Sequence, residues 1–76
     1  MARIVYKSWK VGLEKVSLTK LQMSYLGLSL KESKTNVDNL LDGKEISFQI
    51  NDDVLARAFY SESIKHGVIC ELFLDK

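Results

Sequence analysis

Several residue types that would define a function are scarce in this chain of 76 residues. It contains no proline, one cysteine, one histidine and one tryptophan. One histidine and one cysteine are too few ligands for a structural zinc site, and no CxxC, HExxH or phosphate-binding glycine-rich loop occurs. A single cysteine also excludes an intramolecular disulfide, which small secreted domains usually need. We therefore expect a cytoplasmic protein that carries no metal and no cofactor.

Long apolar runs are also missing from the sequence. Residues 1–7 do not contain the apolar core of a signal peptide, and no segment is apolar enough to cross a bilayer. We expect a protein that is neither exported nor embedded in a membrane.

What is present is the composition of an ordinary globular protein. Hydrophobic residues make up 46% of the chain and charged residues 28%, which is unlike a disordered or fibrous sequence. A chain of this length can build one hydrophobic core. The expected organisation is a single domain over residues 1–76.

Charge is distributed unevenly along the chain although the net charge is only +1. Residues 1–34 carry seven Lys or Arg and two Glu, whereas residues 35–76 carry four Lys or Arg and eight Asp or Glu. The first half therefore presents a basic surface. Such a surface suits an acidic protein or a phosphate backbone, and charge alone does not choose between them.

The first half of the sequence predicts one strand and two helices. Residues 4–11 are rich in β-branched and aromatic types and predict a strand. Apolar residues then take helical spacing from Glu14, and Gly27 ends this first helix. Ser29 and Glu32 form a capping box that starts a second helix, which Gly43 closes.

The second half predicts a strand, a helix and a final strand. Residues 45–50 and 68–74 alternate between apolar and polar side chains, as half-buried strands do. Asn51, Asp52 and Asp53 supply a helix N-cap and early negative charge, and the helix runs to His66 and Gly67.

These elements predict an α+β fold of two layers in the order β-α-α-β-α-β. Three helices pack on one face of a three-stranded sheet. With the first strand in the middle, both neighbouring strand pairs are antiparallel, which is compatible with the crossover rules.

The predicted pair of helices carries a motif that resembles a known family. The segments KVSLTK at 15–20, GLSLKESK at 27–34 and VD at 37–38 resemble the helical hairpin of the factor-binding C-terminal domain of the bacterial ribosomal stalk protein. The family pattern, roughly KVxVIKxVRxxTGLGLKEAKxLVE, aligns to this sequence without a gap. The same fold is also similar to that of the ClpS protease adaptor.

This resemblance implies a function for the hairpin. In the stalk family the hairpin recruits translational GTPases, such as elongation factors Tu and G, through lysines and small apolar side chains. Matching positions of this sequence are Lys15, Val16, Lys20, Lys31 and Lys34.

The sequence also departs from the family. Thr19 stands where the family has isoleucine, Met23 where it has arginine and Ser24 where it has glycine. The family's dimerisation segment and Ala-rich hinge are absent from these residues. We therefore expect a free-standing relative of the domain.

Helical spacing points to the same surface without the resemblance. If the first helix turns its apolar stripe to the core, then Val16, Thr19, Lys20 and Met23 at i, i+3, i+4 and i+7 form the opposite face. Flexible methionine suits an adaptable binding surface. The alternative is that Met23 packs against the second helix and that the lysines form an ordinary solvated face.

No catalytic group emerges from the remaining polar residues, and we do not expect an enzyme. His66 lies at a helix end and Cys70 points inward from the last strand, so a catalytic pair lacks a shared orientation. Asp52 and Asp53 are explained by helix capping and the helix dipole.

Strand pleating predicts a second surface on the side of the sheet that faces away from the helices. There Val5, Trp9, Ile69 and Phe73 would form one apolar patch between neighbouring strands. Symmetric self-association would cover such a patch, which predicts a homodimer. The alternative is that Trp9 folds over the sheet edge and shields Phe73 within one chain.

Three functions are compatible with these observations. The preferred one is a protein-interaction module whose hairpin docks on an acidic or helical surface of a partner, such as a translational GTPase. The second is a nucleic-acid-binding accessory protein that uses the same lysines on phosphates. The third is a ClpS-like protease adaptor, which requires a pocket for an α-amino group.

Overall fold

The computed structural model describes residues 1–74 and confirms the predicted α+β fold. The sheet has the strand order β2-β1-β3, and both neighbouring pairs are antiparallel. The elements are β1 (Ala2–Trp9), α1 (Lys15–Leu26), α2 (Leu30–Leu41), β2 (Ile46–Ile50), α3 (Asp53–Lys65) and β3 (Val68–Leu74).

Local hydrogen bonds explain where two of the helices begin. The Ser29 side chain accepts a hydrogen bond from the Glu32 amide at 3.1 Å, which confirms Ser29 as the predicted N-cap of α2. The Glu32 carboxylate reaches back to the Ser29 hydroxyl at 3.3 Å. Asp52 caps α3 by accepting from the amides of Val54 and Leu55. The residue before α1, Glu14, makes no side-chain cap.

The link between the two hairpin helices depends on Gly27. Its φ of 67° lies in the left-handed region, where a side chain would strain the backbone, and its amide donates to the Met23 carbonyl. The chain can therefore reverse within three residues, and α1 and α2 form a helical hairpin, the name used below for this pair.

An aromatic cluster fills the space between the sheet and α3. Tyr6 stacks on Phe59 with ring centroids 5.9 Å apart, and Phe48 meets both rings edge-on. The buried Tyr6 hydroxyl is 2.6 Å from the Ser63 hydroxyl. Because the Ser63 proton is directed to the Phe59 carbonyl at 2.7 Å, Tyr6 is the donor to Ser63. The cluster buries large apolar area with its polar groups satisfied.

The end of β1 differs from the predicted strand. The strand ends at Trp9 rather than at residue 11, and a β-bulge at Lys7 shifts its pairing with β3 by one residue. Beyond the bulge, Ser8 lies opposite Ile69 and Trp9 lies opposite Val68. One extra residue in a strand reverses the facing of everything after it.

Candidate protein-interaction site

The helical hairpin encloses a surface groove. Because α1 and α2 run antiparallel, the start of α1 lies beside the middle of α2 and leaves a depression of about 300 Å³ between them. We call it the hairpin groove. It is lined by Lys15, Val16, Thr19, Lys34, Val37 and Asp38.

The floor of the hairpin groove is apolar and its rim is basic. Val37 and Thr19 are buried, and the Thr19 hydroxyl donates to the Lys15 carbonyl at 2.9 Å, so its hydrogen-bonding capacity is partly used inside the helix. Val16 is 68% exposed, which leaves an apolar side chain in water beside the lysines. The groove thus combines an uncovered apolar contact with positive charge.

The structure brings together four of the seven residues predicted for partner binding: Lys15, Val16, Thr19 and Lys34 line one groove. The other three lie outside this lining. Lys20 is exposed on α1, Met23 is 38% exposed on the same helix, and Lys31 borders a more open depression on α2. The predicted residues are therefore spread over the helical hairpin, and the hairpin groove is the part where four of them converge.

The lysines of the helical hairpin differ from Lys7 in their ion pairing. Within residues 1–74, none of Lys15, Lys20, Lys31 and Lys34 makes an ion pair, whereas Lys7 bridges two glutamates. A partner that brings carboxylates to this surface therefore does not have to displace an internal partner first.

A buried polar contact between the helices was not predicted from the sequence. Gln22 has no exposed surface. It donates to the Leu18 carbonyl at 3.2 Å and to the Ser33 carbonyl at 3.5 Å, and it accepts from Asn36 at 2.9 Å. We call Gln22, Ser33 and Asn36 the polar seam. The sequence signal for this contact was the presence of polar side chains at positions that helical spacing turns toward the core.

The predicted apolar patch on the sheet needs correction. Cross-strand partners share a sheet face, and Trp9 is paired with the core residue Val68. Trp9 therefore lies on the helix-facing side, not beside Val5 and Ile69. The alternative is corrected as well, because Phe73 pairs with Arg3 at the opposite end of β3 and is not shielded by Trp9.

The remaining patch residues are separated by charged groups. Val5 is only 6% exposed. The Arg3 guanidinium lies 4.9 Å from the centre of the Phe73 ring, and Lys7 stands between Glu45 at 3.5 Å and Glu71 at 3.4 Å. Over residues 1–74 this face is consequently amphipathic, as expected for an antiparallel sheet with one face in water, and charged groups interrupt the apolar patch that the sequence predicted.

The structure also shows the surroundings of Cys70 and His66, the two residues that were considered as a catalytic pair. Cys70 is buried on β3, and burial raises the pKa of its thiol to about 11, which keeps it protonated near neutral pH. The His66 Nδ1 lies 3.4 Å from a Glu14 carboxylate oxygen. In the described part of the chain no three His, Cys, Asp or Glu side chains gather as metal ligands.

The three helices between residues 15 and 65 are also too short or too polar to span a bilayer. No protein-family model matches the chain, and no curated protein sequence matches it at a significant level.

Proposed function

We propose that this protein is a non-enzymatic protein-interaction module that binds an acidic surface of a partner through its hairpin groove. The observation that carries the proposal is the groove itself, where exposed Val16 lies beside Lys15 and Lys34, two lysines that make no ion pair within residues 1–74. Partners of such modules bury an apolar anchor in the centre and place charges at the rim.

The charges and the apolar floor have separate tasks in this proposal. Lys15 and Lys34 attract a carboxylate-bearing surface and orient it, since complementary rim charges mainly accelerate encounter. Val16 and Val37 then supply the apolar contact that slows dissociation. Asp38, the acidic member of the lining, disfavours partners that present carboxylates at that end of the groove.

The resemblance to the ribosomal stalk domain supports a partner class. The residues of the groove that match the family pattern include Lys15, Val16 and Lys34, and the family uses this hairpin on translational GTPases. We therefore propose a translational GTPase as the partner. Met23 in place of the family arginine removes one cation from α1, so we expect a different choice among such factors.

A binding titration tests this proposal. Purified elongation factors Tu and G are titrated against wild-type protein and against Lys15→Glu with Lys34→Glu. We expect the double variant to bind at least about tenfold more weakly, because two attractive rim charges become repulsive. The matched control is Arg57→Glu with Lys65→Glu, which changes the charge equally on α3 and is expected to bind like the wild type.

Two further probes separate the proposal from its alternatives. A single-stranded oligonucleotide that binds with a steep salt dependence would favour nucleic-acid binding, and a peptide with a free N-terminal leucine would favour a ClpS-like adaptor. If neither factor binds wild-type protein, the assignment to translational GTPases is wrong. If factors bind both double variants equally, the groove is not the site.

A further inference from the structure

The free edge of β3 is the least protected part of the sheet. β3 pairs with β1 on one side, and within residues 1–74 no strand pairs with its other side. An edge strand presents a row of unpaired backbone N–H and C=O groups, which a further strand can satisfy. Proteins usually guard such an edge with charged residues, proline or a short strand.

β3 has few of these protections. Its seven residues, VICELFL, include one charged side chain and neither lysine nor proline. Ile69 is 43% exposed and Phe73 39% exposed, and Leu72 is only partly buried although it faces the helices. Apolar side chains therefore line both faces of the free edge.

The other edge of the sheet is built differently. β2 has five residues, and its exposed members are the polar Ser47 and Gln49, while Phe48 and Ile50 are buried. A shorter strand with a polar outer row offers less to an incoming strand. The difference points to β3 as the edge that accepts one.

We propose that β3 pairs antiparallel with β3 of a second copy, which joins two three-stranded sheets into one continuous six-stranded sheet. The argument for a second copy is self-complementarity. Ile69 and Phe73 lie two residues on either side of Glu71, so a two-fold axis at Glu71 places each Ile69 opposite Phe73 of the second copy. Apolar and aromatic cross-strand pairs of this kind stabilise antiparallel sheets.

The charges around the axis make the pairing weak but tolerable. The two Glu71 side chains face each other, which is unfavourable, but each is 3.4 Å from Lys7 of its own chain. A contact of one seven-residue strand is small compared with stable interfaces. We therefore expect a weak dimer that forms only at high protein concentration.

The proposed dimer leaves the hairpin groove open and does not depend on the proposed function. α3 is the helix that packs on β3, whereas α2 packs on β1 and β2. A partner at the hairpin and a second copy at the β3 edge therefore use different parts of the molecule, and either can fail without the other.

Sedimentation equilibrium between about 10 µM and 1 mM tests the dimer, since weak association becomes visible at such concentrations. We expect the wild type to associate and Ile69→Lys with Phe73→Lys to bind itself at least about tenfold more weakly, since four lysines then meet at the contact. The matched control, Ser47→Lys with Gln49→Lys on β2, is expected to associate like the wild type. Far-UV circular dichroism verifies that each variant is folded.

Two more measurements fix the geometry. Glu71→Gln should tighten association about two- to fivefold by removing the facing charges. In a mixture of labelled and unlabelled protein, nuclear Overhauser effects should connect Ile69 of one copy with Phe73 of the other. A wild type that stays monomeric at 1 mM, a control variant that loses association equally, or a Glu71→Gln variant that associates less would each overturn the proposal.

Discussion

The two parts of the core are held together by different chemistry. Between the sheet and α3, aromatic rings meet with centroids 5.0 to 5.9 Å apart. Between α1 and α2, apolar side chains of the same core are joined by the polar seam, in which the Gln22 and Asn36 side chains bond each other and Ser33 accepts through its backbone carbonyl. Packing of large apolar groups dominates stability, whereas buried hydrogen bonds contribute less and fix geometry more.

This difference in chemistry suits different roles for the two parts of the molecule. The sheet and α3 provide a stable platform, and the hairpin presents the groove. A polar contact is satisfied in few arrangements, because its donors and acceptors must align. The seam therefore favours one placement of α2 on α1, and with it one shape of the hairpin groove.

The strongest test of this difference between the sheet side and the hairpin removes a ring from the aromatic cluster. Phe59 is fully buried, and Phe59→Ala should lower the free energy of unfolding by about 3–5 kcal/mol through lost burial and a cavity. Urea denaturation measures it. The control on the same helix is Val54→Ala at an exposed position, which should change stability by less than about 0.5 kcal/mol. Equal effects would mean that the cluster does not carry the stability.

Alkaline pH should weaken the sheet side of the molecule. Burial raises the pKa of the Tyr6 hydroxyl above its ordinary value of 10.0 and that of the Cys70 thiol from 9.0 to about 11. The unfolded chain therefore loses these protons first, and the stability that they contribute is full below pH 9 and falls as pH rises above it.

The Cys70 share of this loss lies between pH 9 and about 11. Unfolding free energies measured across that window should fall less steeply in Cys70→Ala, which has no thiol to titrate. An identical slope in the variant would assign the alkaline loss to other groups.

Two variants test the polar seam. One removes a single hydrogen-bond partner, and the other replaces both partners by apolar side chains. Asn36→Ala leaves the buried Gln22 carbonyl oxygen without its donor and should cost about 1–3 kcal/mol. Gln22→Leu with Asn36→Leu removes both partners, and because neither is then left buried without the other, the stability of the double variant should return to within about 1 kcal/mol of the wild type. Denaturation midpoints compare them. A double variant less stable than Asn36→Ala would contradict this account.

The smallest expected effects concern the N-caps of α2 and α3. Ser29→Ala removes the acceptor for the Glu32 amide in α2 and should cost about 1 kcal/mol. Asp52→Ala at the start of α3 should cost a similar amount, since that side chain accepts two amides. Thermal unfolding resolves both. An unchanged midpoint for Ser29→Ala would show that water replaces this cap without loss.

Local sequence signals predicted most of the fold. Alternation over 45–50, the capping box at Ser29 and the glycine at 27 act within a few residues, so the element order followed from them. Of the groove residues, helical spacing predicted an exposed Val16, which the structure has, and an exposed Thr19, which is instead buried. Lys15 and Lys34 were expected on this surface from the resemblance.

Features that depend on pairing between distant segments did not follow. The position of Trp9 was mispredicted because strict alternation holds only while the register is unbroken, and the bulge at Lys7 breaks it. Gln22 was missed because its partners belong to α2, and a single helix does not reveal them. The apolar patch failed for both reasons, since the charges of Lys7 and Arg3 reach across strands.

The bulge at Lys7 has a consequence for how such a chain tolerates gain or loss of a residue. Deleting Lys7 would restore regular alternation with Ser8 still opposite Ile69 and Trp9 still opposite Val68, and the paired positions from Ala2 to Tyr6 would keep their partners. In evolutionary terms, the loss of this one residue shortens the strand without moving any of its paired side chains to the other face of the sheet. We therefore expect related chains to differ in length by one residue at this point of β1.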